Sequence, residues 1–369
     1  MRFSTLCLLL GVGTVFTVAK PSDPTSSSAA PAATGSGGAP VPTVVGAAGI
    51  TAATSKFGAA IEGAGVDVKG NIYAVNYDGL KNSIGIALGQ GAQSSYYQDP
   101  DSTTWFNGIR VIESDQTEHN DVVAMLAVDV TNHRVLRISG PPGNAAAVTY
   151  CQDAAMLQPN DIAVTDLGDV FLSGMNYSAS TGDLWICPNG GAHTPRRIAQ
   201  LNRTNGIEVD PTNKYLYLSE STNGDGGVVL NNVIWRYELT NSASGSGLDV
   251  KNGTDNMPVR TLFKDFSEFD NTGSTDIDGM RTDKNGNLYV TRNGLGEVVV
   301  FTPQGELKQR ITVPFKGVAS LEFGGAQGTD LAIIGSCGVD EKGCLHVHRV
   351  DCAGRAFSGL QADKKSGSH

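Results

Sequence analysis

The chain has 369 residues, a formal net charge of -10 and 46 glycines. The acidic balance, with no basic cluster, excludes a phosphate-neutralising contact with nucleic acid. Abundant glycine with almost no helical periodicity excludes a helical bundle and fits an all-β protein full of tight turns.

The chain opens with Arg2, an apolar run from Leu6 to Val18 and the small residues Thr17-Val18-Ala19. This predicts a signal peptide over residues 1–19, and hence a secreted protein. The run is short for a membrane span, and no other uninterrupted apolar stretch approaches it, so no membrane partner is expected. Residues 20–43 are rich in Pro, Ser, Ala, Gly and Thr and cannot bury enough apolar surface to order themselves, which predicts a disordered leader. Residues 44–360 are expected to form one repetitive domain, and residues 361–369 a flexible tail.

Within that domain one unit recurs: strand, turn, strand. It is read at Gly63 to Val75, Met125 to Ile138, Ile162 to Leu172, Ile207 to Leu218, Asp276 to Val290 and Ser320 to Ile334. Further strands follow at Val233 to Tyr237 and Glu297 to Phe301. Six such units, each building a small sheet, predict a six-bladed β-propeller. Polar stretches at Tyr96 to Glu118 and Asn241 to Pro258 interrupt the spacing and are expected as insertions.

The spacing also singles out four polar residues. Glu62, Asn160 and Asp278 each stand ten residues before a buried strand residue (Ile72, Val170, Leu288), and Asn205 stands eleven before Leu216. In a radial repeat, equivalent positions point at a common axis. Two carboxylates and two amides meeting there suit a hard cation such as calcium. Asp161 and Asp276, beside these residues, serve either as turn caps or as groups that orient a ligand. Serine-triad hydrolysis has no support, because no G-x-S-x-G elbow occurs.

Beyond Cys7 there are five cysteines: Cys151, Cys187, Cys337, Cys344 and Cys352. In an oxidising compartment some should pair, and the odd count leaves one thiol over. Cys337 and Cys344 flank a stretch that reads as a hairpin loop and are the first candidate pair. Asn176, Asn202 and Asn252 begin glycosylation tripeptides.

At Glu62-Gly63, Pro159-Asn160-Asp161, Asn205-Gly206-Ile207, Asp278-Gly279-Met280 and Phe323-Gly324-Gly325 the chain resembles a known family. It groups senescence marker protein (regucalcin), gluconolactonase and luciferin-regenerating enzyme. The resemblance implies a six-bladed propeller with one divalent ion, usually calcium, at the mouth of the central tunnel. It implies Glu62, Asn205 and Asp278 as metal ligands, Asn160 as a ligand or substrate contact, and Asp278 as the base or nucleophile. The reaction implied is opening of a lactone or related ester to a hydroxy acid by a monomeric enzyme.

The chain also departs from the family pattern. Ala64-Gly65-Val66 stands where relatives often carry Pro-Val-Trp, Ser320 replaces an Asn, and Gln158 takes the place of a sugar-binding Arg. Gln158 is accordingly expected to touch substrate and to alter which lactone is preferred. Two other readings stay open: a binding platform with a structural calcium, and a phosphotriesterase or synthase on the same scaffold.

Overall fold

The computed structural model describes residues 49–369 except 90, 118–119, 191, 225–227, 244, 246, 270–274, 339–341 and 367–369. The signal peptide and leader expected over residues 1–43 lie outside the described residues.

The strands follow one another as antiparallel meanders. The first sheet holds β1 (Ala64–Val66), β2 (Ile72–Val75), β3 (Ser83–Leu88) and β4 (Ser94–Gln98). The second holds β5 (Phe106–Thr117), β6 (Asn120–Asp129), β7 (Arg134–Gly140) and β8 (Ala146–Gln152). An eight-stranded sheet comes next. It contains β9 (Pro159–Val164), β10 (Val170–Asn176), β11 (Thr181–Cys187), β12 (Arg196–Val209), β13 (Tyr215–Asn223), β14 (Val229–Asn241), β15 (Leu248–Val250) and β16 (Arg260–Asp265). The short helix α1 (Phe266–Phe269) leads to a sheet of β17 (Asp276–Thr282), β18 (Leu288–Asn293), β19 (Glu297–Phe301) and β20 (Leu307–Thr312). A three-stranded sheet of β21 (Gly317–Gly324), β22 (Asp330–Ser336) and β23 (Gly343–Arg349) closes the series, and helix α2 (Arg355–Ser366) follows.

The eight-stranded sheet is two meanders joined end to end. Residues 196–202 of β12 pair with β11, and residues 203–209 pair with β13. One long strand is thus the outer strand of one meander and the inner strand of the next.

Most central strands are buried on both faces, and this is why they read as apolar runs. Side chains alternate between faces, so neighbouring residues serve different cores. Met125 and Ala127 pack toward the first sheet, whereas Leu126 and Val128 pack toward β9–β11. Val298 and Val300 pack toward β21–β22, whereas Val299 and Phe301 pack toward β14 and β17. The last apolar layer joins Ala332, Ile334 and Leu345 to Ile61, Ile72 and Ala74, so the final sheet packs on the first.

A backbone pair reinforces that closure. Ile50 N donates to Leu345 O at 2.7 Å, and Leu345 N donates to Ile50 O at 3.0 Å. The segment before β1 therefore lies on the free edge of β23, which would otherwise offer unpaired donors and acceptors. The architecture is all-β, built of antiparallel sheets with two helices among the described residues, and is consistent with a β-propeller.

Three stretches differ from the sequence reading. The region from Tyr96, expected as an insertion, carries β4 and the long β5. Register shifts after Phe106 and after Val111 break the two-residue alternation there, so β5 does not read as a strand. The region from Asn241 to Pro258 contributes β15, which pairs with the end of β14. The stretch from 361 read as a tail is helical through Ser366, because Phe357 and Leu360 bury one side of α2. Among the described residues no helix is long and apolar enough to cross a membrane.

Candidate functional site

Apart from β1, which pairs regularly with β2, the inner strands are irregular where they carry the polar residues. The pairing register slips between Phe106 and Ile109, Thr204 and Ile207, Ile277 and Met280, and Val318 and Ser320. On β10 it slips between Leu172 and Gly174, opposite Asn160 and Asp161. A bulge frees the backbone from the ladder and re-aims the side chain. The slips bracket Asn107, Asn205, Asp278 and Ala319, and the slip on β10 faces Asn160.

Glycines let these bulged segments crowd together. A Cβ on Gly63 would lie 1.9 Å from the Asn107 carbonyl oxygen, and one on Gly206 would lie 2.1 Å from that of Asp278. A Cβ on Gly108 would reach Asp161 Cα at 2.7 Å, and one on Gly279 would reach Ser320 Cα at 2.9 Å. Each glycine thus abuts the axial segment of the following sheet or meander. Any side chain there would spread the ring.

The result is a small cavity of about 10 Å3 lined by Glu62, Asn107, Asn160, Asn205 and Asp278, with Asp161 and Ser320. The four residues singled out by spacing all line it. Gln158 does not; it is exposed just before β9, where its carbonyl accepts from Met175 N at 3.2 Å. Asn107 was not anticipated, although Asn107-Gly108-Ile109 repeats Asn205-Gly206-Ile207.

Local hydrogen bonds hold the set. Asn293 Nδ2 donates to Asp278 Oδ2 at 2.9 Å, and Asn107 Nδ2 donates to the Asn160 carbonyl at 2.9 Å. Ser219 Oγ receives Asn205 N at 3.2 Å, and Ser173 Oγ receives Asp161 N at 3.1 Å. Asp276 stays outside this ring, tied to Arg203 Nη2 at 2.6 Å and to Ser221 Oγ at 3.2 Å.

The electrostatics are unfavourable for carboxylates alone. Burial pushes Glu62 up to about 7; a hydrogen bond from Asn107 opposes this and the Asp161 charge adds to it. Burial likewise raises Asp278 well above the usual carboxylate range, helped by the Glu62 charge and opposed by Asn293. Two carboxylates facing each other in a desolvated site need a cation or a proton. The donors are all hard oxygens, the type calcium prefers, so the residues present fit a divalent ion. Among the described residues no group of three or more His, Cys, Asp or Glu is gathered to bind metal. Any cation site here would therefore depend on the asparagine amides.

A charged layer lies three residues further along the same strands. Arg110 follows Asn107, Glu208 follows Asn205, and Arg281 follows Asp278. Arg110 Nη1 reaches Asp161 Oδ1 at 3.3 Å, and its Nη2 reaches Glu208 Oε2 at 3.4 Å. Arg281 Nε reaches Glu322 Oε2 at 3.0 Å, and its Nη2 donates to the Ala64 carbonyl at 2.9 Å. Burial pulls the Arg281 guanidinium down, but Asp161, Glu322 and Glu208 more than offset it, leaving it raised. Arg110 ends lowered, because burial and the Arg281 charge outweigh its carboxylates. Glu208 is raised by burial despite its arginine neighbours. Buried charges of this kind persist only when paired and hydrogen-bonded.

The sulfur chemistry is also settled by position. Cys337 pairs with Cys344, as the sequence indicated, and Cys151 of β8 pairs with Cys187 of β11. Cys352 is the free, buried cysteine among the described residues.

A family model described as the SMP-30/gluconolactonase/LRE-like region matches residues 116–336. Among solved structures the fold is similar to a luciferin-regenerating enzyme, with 15% identity and a TM-score of 0.60, covering 83% of this chain and 97% of that one. It is similar to a calcium-binding protein, regucalcin, from Agrobacterium tumefaciens, with 15% identity and a TM-score of 0.57, covering 80% and 94%. It is also similar to a gluconolactonase from Xanthomonas campestris, with 18% identity and a TM-score of 0.55, covering 80% and 88%. No curated protein matches the sequence.

Proposed function

Because the chain belongs to the SMP-30/gluconolactonase/LRE-like family, we propose that it is a secreted, metal-dependent hydrolase that opens a lactone to a hydroxy acid. The observation that carries this reading is the convergence of Glu62, Asn160, Asn205 and Asp278 on one cavity. The sheets, with the eight-stranded one divided at β12, make six units around it, and we read them as a six-bladed propeller. The proposed ion is calcium, held by Glu62, Asn205 and Asp278 with Asn160 beside them. The similar solved structures include a calcium-binding protein, regucalcin, and a gluconolactonase, which supports both halves of the reading.

The bound cation would supply polarisation of the acyl oxygen and would favour the ionised carboxylates. The chain's own residues do the rest. Asp278, oriented by Asn293, takes a proton from the attacking water as its oxygen bonds to the acyl carbon. The ring C–O bond then breaks, and the departing alkoxide receives that proton, giving the hydroxy acid. Asn160 orients the substrate at the open side. Gln158, outside the cavity wall, would touch only a substrate that extends beyond it. The substrate is a small lactone or ester, and the proposed enzyme is a monomer.

The small size of the cavity favours a second reading, a structural calcium in a binding platform. One experiment separates the two. Calcium-loaded wild type and Asp278→Asn, both shown folded, are assayed on a panel of lactones, esters and phosphotriesters. Lactone turnover in wild type, lost in the variant, is expected. Equal turnover removes Asp278 from the chemistry, and calcium binding with no turnover by either protein favours the platform.

A further inference from the structure

A second, much larger cavity of about 570 Å3 lies at the other end of the inner strands. Its floor is the charged layer of Arg110, Glu208, Arg281 and Glu322, which sits about 10 Å along the strands from the axial residues at the usual rise per residue. One wall is aliphatic, with Val111, Leu126, Val148 and Val164. The opposite wall is helix α2, which turns Ala356, Gly359, Leu360 and Asp363 toward the space. Tyr150 and His193, stacked with ring centroids 4.0 Å apart, also line it. The volume is that of a pocket for a small organic molecule, about 300–1,000 Å3.

The charges at this cavity are already spent on one another. Arg110 pairs with Glu208 at 3.4 Å, Arg281 with Glu322 at 3.0 Å, Arg355 with Asp166 at 2.6 Å and Arg137 with Glu113 at 3.0 Å. The two floor pairs, Arg110–Glu208 and Arg281–Glu322, are desolvated, and breaking either for an ionic ligand would be costly; Glu113 and Asp166, at the rim, are exposed. The helix leaves the space open, since a Cβ on Gly359 would meet no atom within 4 Å outside its own helix. Glycine weakens a helix relative to alanine, and here it leaves the gap unfilled.

We propose that this cavity is a second binding site, separate from the axial one, for an uncharged small molecule with an apolar body. The body lies along Val111, Leu126 and Val164. Tyr150 and His193 frame the entrance together with Thr149.

The test uses prodan, an uncharged naphthyl ketone whose emission shifts to the blue in apolar surroundings, and the full chain in calcium. Wild type should bind it saturably with a blue shift. Gly359→Phe fills the space from the helix side, and Thr149→Trp, at an exposed position, closes it from β8. Each variant, shown folded by its circular dichroism, should bind prodan about tenfold more weakly or worse. Because the two act from opposite walls, failure of one to fold leaves the other decisive. Absence of prodan binding to wild type overturns the proposal, and so does wild-type affinity in a folded variant. Tighter binding of anionic anilinonaphthalene sulfonate at the same site, lost in the same variants, overturns the uncharged class.

Discussion

Gly206 and Asp278 touch where two inner strands meet: a Cβ on Gly206 would sit 2.1 Å from the Asp278 carbonyl oxygen. The contact holds Asp278 at the axis and leaves no room for a methyl group. Gly206→Ala should therefore overpack this junction and cost about 1–3 kcal/mol. It should also weaken calcium binding, since Asn205 and Asp278 would be pushed apart. Thermal melts with and without calcium check both effects; an unchanged melting temperature would mean that the ring tolerates expansion.

Metal-free protein should lose stability as pH rises from about 4.5 to about 7. Glu62 moves from an ordinary value of 4.5 to about 7 in the folded protein, and Asp278 moves in the same direction. A group raised in this way contributes fully below its unfolded value, and the contribution is lost as pH climbs through the folded one. A divalent cation reverses the preference by favouring the ionised pair. The melting-temperature gain from calcium should therefore grow across this window, measured against a chelator control. A gain that stays flat with pH would remove the carboxylate pair from the binding site.

Asn293→Ala removes the hydrogen bond that opposes the upward shift of Asp278. The acid limb of the activity profile should move to higher pH, because the base then ionises later. Turnover at neutral pH should fall about tenfold to a hundredfold, the usual range for a hydrogen bond to a charged group. A lower rate with an unmoved acid limb would assign Asn293 a purely structural role.

The two disulfides should contribute unequally. Cys151–Cys187 spans 36 residues and links the second sheet to the third, whereas Cys337–Cys344 spans 7. By the loop-entropy relation, replacing the first pair with alanines should cost about 4 kcal/mol and the second about 2 kcal/mol. Denaturant melts of the two double variants give the comparison, and equal losses would contradict the loop-length argument here.

Arg281→Met should be among the most damaging changes away from the axis. It leaves Glu322 buried without its guanidinium partner, and Asp161 keeps only Arg110. The expected loss is about 3–5 kcal/mol. Calorimetry would show whether the charged layer holds the inner strands together or merely fills space.

The legible parts of this molecule were those with a regular count. Glu62, Asn160, Asn205 and Asp278 stand ten or eleven residues before a buried strand residue because their hairpins are of similar length. Asn107 escaped because β5 and β6 form a longer hairpin, with Ile109 paired to Ala127 far downstream. Its bulges also hid the alternation of β5. The charged layer was legible only in retrospect: Ile109-Arg110-Val111, Ile207-Glu208-Val209, Met280-Arg281-Thr282 and Leu321-Glu322-Phe323 each place one charge between less polar neighbours. A charge in an apolar run reads as an exposed position unless its distant partner is known. Helix α2 was obscured by Gly354 and Gly359, which weaken any helical signal, while its burial depends on sheets far away in sequence.

The pairing of Ile50 with Leu345 sets an order of events during synthesis. The ribosome delivers the Ile50 segment long before its β23 partner, so the first sheet is made while its neighbour in the ring does not yet exist. Until β22 and β23 are made, Ile61, Ile72 and Ala74 lack the apolar surface that covers them in the folded protein. Closure is consequently a late, long-range step, with the slow kinetics that such contacts impose. Until that step the nascent chain carries an uncovered apolar face, the condition under which growing chains aggregate or recruit chaperones.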